Sequence, residues 1–299
     1  MEFQQLNKTC FYFHGPVNIG YVHLGEEGML IDAGIDKSAM KKVIKQLREH
    51  ELPITHLFVT HAHADHFGGA QYLQQQFEVH TIAPIFEEAV MRYPIMEPIY
   101  LFGGNEPLED LRNKFLEGNP ITIDQVIEEG HYQVGDFSFE TVNLPGHTHY
   151  QLAILIDDIL FAGDAYLSEQ YLHKHKLPYM TDADLAIESL NKLTEIRCQG
   201  AVPGHGEYEE DFNKTVQANI NYHEKLLNWV EAKVEEYPNG ISHETIVAEM
   251  CQHFGLGEKL LSQWVLLRTA VTSYLLALIK KEKISHHITG GRWIFIANR

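Results

Sequence analysis

The chain has 299 residues, with 41 acidic side chains against 23 Lys and Arg and a formal charge of −18. That length can bury a large core in one or two domains, and the charge repels nucleic-acid phosphates and disfavours nonspecific binding to polyanions. No stretch approaches the ~18 apolar residues that cross a bilayer, and Met1-Glu-Phe-Gln-Gln-Leu-Asn7 lacks the charged and apolar regions of a secretory signal.

A cytoplasmic protein with no membrane partner is therefore expected. Cys10, Cys198 and Cys251 are far apart and odd in number, as expected of free thiols in a reducing compartment.

Asn18-Ile-Gly-Tyr-Val-His-Leu24 and Met29-Leu-Ile-Asp32 read as strands joined by a Glu-Glu-Gly turn. From Lys37 to His50 the spacing predicts an amphipathic helix with Met40, Val43, Ile44 and Leu47 on one face. His56-Leu-Phe-Val-Thr60 reads as a short buried strand, and Gly68-Gly69 opens a helical stretch through Gln76. Between them lies Thr60-His-Ala-His-Ala-Asp-His-Phe-Gly-Gly69, which crowds His61, His63, Asp65 and His66 into six residues. Four such side chains cannot be packed as an ordinary apolar segment, because imidazoles and carboxylates are costly to bury without partners. The alternative is an exposed His-rich loop.

From Pro84 to Gln125 the pattern breaks. Pro94, Pro98, Pro107, Pro120 and Gly103-Gly104 punctuate a segment carrying Tyr93, Tyr100, Leu101 and Phe102, as in an irregular lid or a structural excursion. Its aromatic content makes Tyr93, Tyr100 and Phe102 candidate contacts to an apolar or acyl part of a substrate. Phe137, Phe139 and Thr141 alternate with polar neighbours, as in a half-buried strand. Gln151–Ile156 and Ile159–Ala162 flank Asp157-Asp158 as a tight hairpin. Three further apolar runs end in Gly or Pro-Gly and then one metal-competent side chain: His147, Asp164 and His205. Imidazole and carboxylate together suit zinc, with iron or manganese as alternatives. His149 and Tyr166 neighbour these positions and are further candidate substrate contacts. His173, His175, His286 and His287 lack such a setting.

Beyond residue 208 a smaller unit is expected. Phe212–Val234 reads as a helix, Glu235–Gly240 as a break, and Ser242-His-Glu-Thr245 as the cap of a second helix. A long apolar-rich helix from Leu260 to Glu282 and a Gly290-Gly291 hairpin within Ile284–Ala297 complete it.

HxHxDH, then a lone His, an Asp and a final His in Pro-Gly-His-Gly resembles the metallo-β-lactamase superfamily, whose order is matched over roughly residues 9–208. Leu30-Ile-Asp32-Ala-Gly34 matches that family's early strand–Asp–Gly element. The resemblance implies an α/β fold, a four-layer αββα sandwich over residues 1–208, followed by a helical, winged-helix-like domain over 209–299. It implies two divalent ions. His61, His63 and His147 hold the first, Asp65, His66 and His205 the second, and Asp164 bridges them, while Asp32 orients the ligands from behind. It also implies hydrolysis by a metal-bridging hydroxide, with Asp65 able to accept a proton. No cysteine stands at a ligand position, unlike the antibiotic-degrading members that use one.

A small ester, thioester or lactone is the expected substrate. The winged-helix-like tail is similar to that of the branch containing a single-strand-specific endoribonuclease, so a nuclease or phosphodiesterase acting on RNA is the second reading. An iron-dependent persulfide dioxygenase is the third. Seven Lys and Arg between Gly257 and Arg299, against two Glu, would form the face for nucleic acid. Dimerisation, or support of a lid, is the other expected role for the tail.

Overall fold

The computed structural model describes residues 1–257 and 259–298. Its first sheet runs in chain order: β1 (Glu2–Gln5), β2 (Cys10–His14), β3 (Ile19–Leu24), β4 (Glu27–Ile31), β5 (His56–Phe58), β6 (His80–Pro84) and β7 (Gln125–Ile127). Pairing is antiparallel up to β4 and parallel from β4 to β7. Parallel neighbours need crossovers, and helices supply them. They are α1 (Lys37–Glu49), the short α2 (Ala64–Phe67) with α3 (Ala70–Gln76), and α4 (Glu87–Arg92) with α5 (Met96–Leu101). Asp36 caps α1 by accepting from the amides of Ser38 and Ala39, and Met40, Val43, Ile44 and Leu47 form its buried face.

The second sheet has the order β12-β11-β10-β9-β8, built from β8 (Gly130–Val134), β9 (Phe137–Asn143), β10 (Leu152–Ile156), β11 (Ile159–Gly163) and β12 (Gly200–Pro203). Asp157 and Asp158 turn the β10–β11 hairpin with φ of 45° and 67°, the left-handed pair that a two-residue turn requires. Helices α6 (Glu169–His175) and α7 (Ala183–Glu195) lie between β11 and β12, and α8 (Asn213–Glu235) follows β12.

Strand alternation sorts the apolar residues into layers. Met29 and Ile31 of β4 point between the sheets, where they join Phe58, Ile82, Phe137, Phe139, Leu152, Ile154, Ile156 and Phe161. Leu30 points the other way, onto Met40, Val43 and Leu47 of α1 and Leu73 of α3. Ala153 and Leu160 of the second sheet face Leu190 and Leu193 of α7 and Val216 and Ile220 of α8. The result is the expected αββα sandwich.

The C-terminal region adds β13 (Ile241–Ser242), α9 (His243–His253), α10 (Leu261–Lys280), β14 (Ile284–Thr289) and β15 (Arg292–Ala297), with sheet order β13-β15-β14. Ser242 caps α9 by accepting from the Thr245 amide, as read from the sequence. Its core also takes Leu177, Met180 and Ala183 from upstream and Leu226, Leu227, Val230 and Val234 from the second half of α8. Helix α8 thus serves two cores, which interlock across the expected boundary at residue 208.

Two expectations are corrected. Pro84–Gln125 is not merely irregular, since it holds α4 and α5, with Pro98 tolerated in the first turn of α5. By length and composition α10 is apolar enough to cross a membrane, with a mean hydropathy of 1.2 and half of that window buried. The sequence reading gave this helix but counted no apolar run of that length, because Arg268 and scattered Ser and Thr interrupt it. Val265, Val271, Tyr274, Leu275 and Leu278 of α10 are buried in the protein's own cores.

Candidate metal centre

The candidate ligands come from strand ends that converge on one rim of the sandwich. After β5 the chain passes through His61 and His63 into the single turn of α2, which carries Asp65 and His66. His147 lies in the loop after β9, Asp164 follows β11, and His205 follows β12. Their donor atoms assemble into three groups, each with all atoms within 4.8 Å: His61, His63 and His147; His61, His66 and Asp164; and Asp65, His66 and His205. His63 Nδ1 lies 3.1 Å from His61 Nε2 and 2.8 Å from His147 Nε2. Asp164 links the halves, with Oδ1 3.3 Å from His66 Nε2, and Oδ2 3.3 Å from His147 Nε2 and 3.4 Å from His205 Nε2. His205 Nε2 is also 3.4 Å from Asp65 Oδ2. Close approach requires Gly204, where a Cβ would sit 2.0 Å from Asp164 Oδ1.

Four imidazoles are held from behind, which fixes the nitrogen each offers inward. His66 Nδ1 is 2.7 Å from Asp32 Oδ2, and His61 Nδ1 is 3.0 Å from Thr60 Oγ1. The carbonyls of Tyr179 and Pro16 accept from His147 Nδ1 at 3.2 Å and His205 Nδ1 at 2.6 Å. Asp32 also accepts from the Thr60 amide at 2.8 Å and the Thr60 hydroxyl at 3.0 Å, and holds a left-handed φ of 65°.

The charge pattern is that of a cation site. Burial, with the charge of His147 next, lowers the pKa of His63 to about 3. For His205, burial opposes the charged form, but Asp164 and Asp65 push its pKa up to about 12. Asp65 drops to about 2, its burial outweighed by His66 and His205. Protons thus stand in for positive charge among the carboxylates. His66 Nε2 and Asp164 Oδ1 are buried and face each other at 3.3 Å, and among the described residues neither has a well-formed hydrogen bond. Divalent cations fit this donor set, since they satisfy those two atoms and the converging lone pairs together.

Sequence reasoning missed two buried acids from the Pro84–Gln125 segment. Glu87, 4% exposed, accepts from the amides of Ala62 (2.9 Å) and Tyr150 (3.0 Å), lashing the first ligand loop to the His147 loop. Burial raises its pKa. Glu97, 5% exposed with its pKa pushed up to about 8 by burial, approaches His63 from outside. Neither stands in a ligand-like spacing, and no helix was read in that segment, so no local signal marked either one. Gln151 was read only as the start of a strand, yet it accepts from the Asp164 amide at 2.9 Å.

The candidate substrate contacts separate. Tyr93 is exposed, and His149 is exposed against Phe86, with ring centroids 5.4 Å apart. The Tyr100 hydroxyl lies 2.7 Å from that of Tyr179, whose ring is 5.3 Å from His63. Phe102 packs with Leu101, Leu111, Leu116 and Val265, and so joins the segment to α10. Tyr166 is 1% exposed and stacks on Phe212, a core placement beneath the site rather than on its open face. His173 and His175 lie on α6, and His286 and His287 are exposed on β14. A larger cavity of about 640 Å³ lies among α9, α10 and β15, lined by Trp264, Trp293 and Leu276. Among the described residues no group of three metal-competent donors meets there.

A family model described as the metallo-beta-lactamase superfamily matches residues 12–205. The chain belongs to that superfamily. Among curated members it is 26% identical over 201 residues to an atrochrysone carboxyl ACP thioesterase of Aspergillus fumigatus, covering 66% of this chain and 53% of that one. It is 27% identical over 137 residues to a hydroxyacylglutathione hydrolase of Vibrio cholerae, covering 46% and 42%. The chain thus spans about half the length of these curated relatives or less.

Two solved structures share its fold. A beta-lactamase domain protein from Burkholderia ambifaria superposes with a TM-score of 0.75 at 17% identity, covering 99% of this chain and 94% of that one. A metallo-beta-lactamase family protein from Thermus thermophilus gives 0.71 at 15% identity, covering 94% of each. The first likeness carries the shared fold through the C-terminal region.

Proposed function

We propose that this superfamily member is a metal-dependent hydrolase of small acyl esters or thioesters, working with two divalent ions. One observation carries the reading: buried Asp164 touches both ligand groups, with Oδ2 3.3 Å from His147 Nε2 and Oδ1 3.3 Å from His66 Nε2. His61, His63 and His147 would hold one ion and Asp65, His66 and His205 the other, with Asp164 between them. Bound there, such ions supply Lewis acidity and a water-derived nucleophile at neutral pH. Asp65 is the more open carboxylate, its side chain 28% exposed against 6% for Asp164, so it is placed to take a proton from entering water. The water oxygen would bond to the acyl carbon as the acyl C–S or C–O bond breaks, and the proton taken by Asp65 would pass to the departing sulfur or oxygen, releasing an acid and a thiol or alcohol.

Two observations favour acyl substrates. The relatives with printed activities are a thioesterase and a hydroxyacylglutathione hydrolase. Three of the seven cations of the expected basic face are also ion-paired within the chain. Lys280 pairs with Asp182 at 2.5 Å, Lys281 with Asp184, and Lys283 with Glu231 at 3.4 Å. Arg299, also counted in that face, lies outside the described residues. Three lysines facing acidic neighbours on a chain of charge −18 make a weaker phosphate track.

The test is a panel of acyl thioesters, aryl esters, lactones, phosphodiesters and single-stranded RNA, presented to zinc-, manganese- and iron-loaded protein with dioxygen uptake recorded. Thioester or ester turnover with no oxygen consumed is expected. Salt-sensitive RNA cleavage that is lost when Lys280, Lys281 and Lys283 become Gln would replace this reading with a nuclease. Iron-dependent oxygen uptake would replace it with a dioxygenase.

A further inference from the structure

His63 differs from the other four histidines of the centre. It turns Nδ1 inward, and among the described residues its outward Nε2 has no carbonyl or hydroxyl behind it. The group it faces is Glu97 Oε1 at 4.0 Å, and both side chains are nearly buried, at 15% and 7% exposed. Glu97 sits in the first turn of α5 and accepts from the Tyr100 hydroxyl at 2.8 Å. Among the described residues, His63 is its one ion-pair partner. An acid this buried, with one hydroxyl donor, is costly to ionise unless a cation close by stabilises its charge.

We infer that Glu97 is a positioning residue for His63, reaching in from the Pro84–Gln125 segment to orient that imidazole toward the first metal ion. The inference rests on the ligand assignment proposed above. A histidine bound through one ring nitrogen donates its other N–H to an acceptor, and a carboxylate there raises the donor strength of the ring. Tyr100 keeps Glu97 in place, because its hydroxyl bridges Glu97 Oε1 and the Tyr179 hydroxyl. Tyr179 in turn supplies the carbonyl behind His147. Two of the three first-site histidines are therefore steadied by one hydrogen-bonded group.

That group is braced by the C-terminal region. Arg268 of α10 donates to the carbonyl of Leu101, the last residue of α5, at 2.7 Å. Val265 of α10 packs beside Leu101 in the same cluster. The C-terminal helix thereby supports the metal centre without donating a ligand.

The experiment is a chelator competition with zinc on the full-length protein, comparing wild type with Glu97→Gln and Glu97→Ala, alongside thermal melts. Removal of such an outer partner lowers metal affinity by roughly 10–100-fold. That loss is expected for one of the two ions in Glu97→Ala, with partial recovery in Glu97→Gln, which keeps an oxygen acceptor. Affinity equal to wild type in both folded variants would overturn the role and leave Glu97 a structural acid. If Glu97→Ala does not fold, Glu97→Gln decides alone: a several-fold loss supports the role and none refutes it. Failure of the wild type itself to bind zinc would overturn the ligand assignment, a result distinct from unchanged Glu97 variants.

Discussion

Replacing Asp32 by Asn tests whether the centre is set by the proton on His66. Asp32 adopts a φ of 65°, which Asn tolerates, so the backbone should survive. One side-chain oxygen can still accept from the Thr60 amide, as Oδ1 does at 2.8 Å. The NH2 group would then replace Oδ2, which lies 2.7 Å from His66 Nδ1 and 3.0 Å from the Thr60 hydroxyl. A donor there forces His66 Nδ1 to accept, which moves the ring proton to Nε2, the atom aimed at Asp164 and the second ion. Loss of an outer-shell partner costs roughly 10–100-fold in metal affinity, about 1.4–2.8 kcal/mol.

The assay is isothermal titration of zinc into stripped protein, with ester or thioester turnover measured in parallel. One site should weaken by that factor, and turnover at limiting zinc should fall with it. Thr60→Val removes only a hydroxyl from the same network and should cost less, about 0.5–1.5 kcal/mol of stability. A folded Asp32→Asn protein binding two ions as tightly as wild type would refute the tautomer argument.

Stripping the metal with a chelator should lower the melting temperature by several degrees, since an ion at ~1,000 times its Kd adds about 4 kcal/mol to the folded state; a melt indifferent to chelator would contradict a site built around buried His66 Nε2 and Asp164 Oδ1. His223 on α8 is buried against the Tyr274 hydroxyl at 2.8 Å, and burial lowers its pKa from 6.5 to about 4. The unfolded chain therefore binds the proton first as pH falls. The stabilisation present above pH ~6.5 is lost progressively down to pH ~4, by up to about 3 kcal/mol. Urea unfolding of wild type and His223→Gln, both in chelator, should converge over that window, and parallel curves would refute the assignment.

The sequence by itself marked the candidate ligands and most of the scaffold. His61, His63, Asp65 and His66 fall within six residues, and His147, Asp164 and His205 each end an apolar strand, so local pattern alone marked them. Period-two alternation in β9, the Asp157-Asp158 hairpin and the 3.6-residue spacing of α1 were equally legible, because each is a local signal.

What the tertiary structure decided is whatever depends on residues far apart in the chain. Glu87 and Glu97 lie in a segment that reads as irregular until the fold buries them beside Ala62 and His63. Lys280, Lys281 and Lys283 read as a basic face until α7 and α8 bring Asp182, Asp184 and Glu231 beside them. Tyr166, two residues from Asp164, reads as a site residue until β11 and α8 enclose it. Burial and charge pairing are properties of neighbours in space, and a pattern along the chain records only neighbours in sequence.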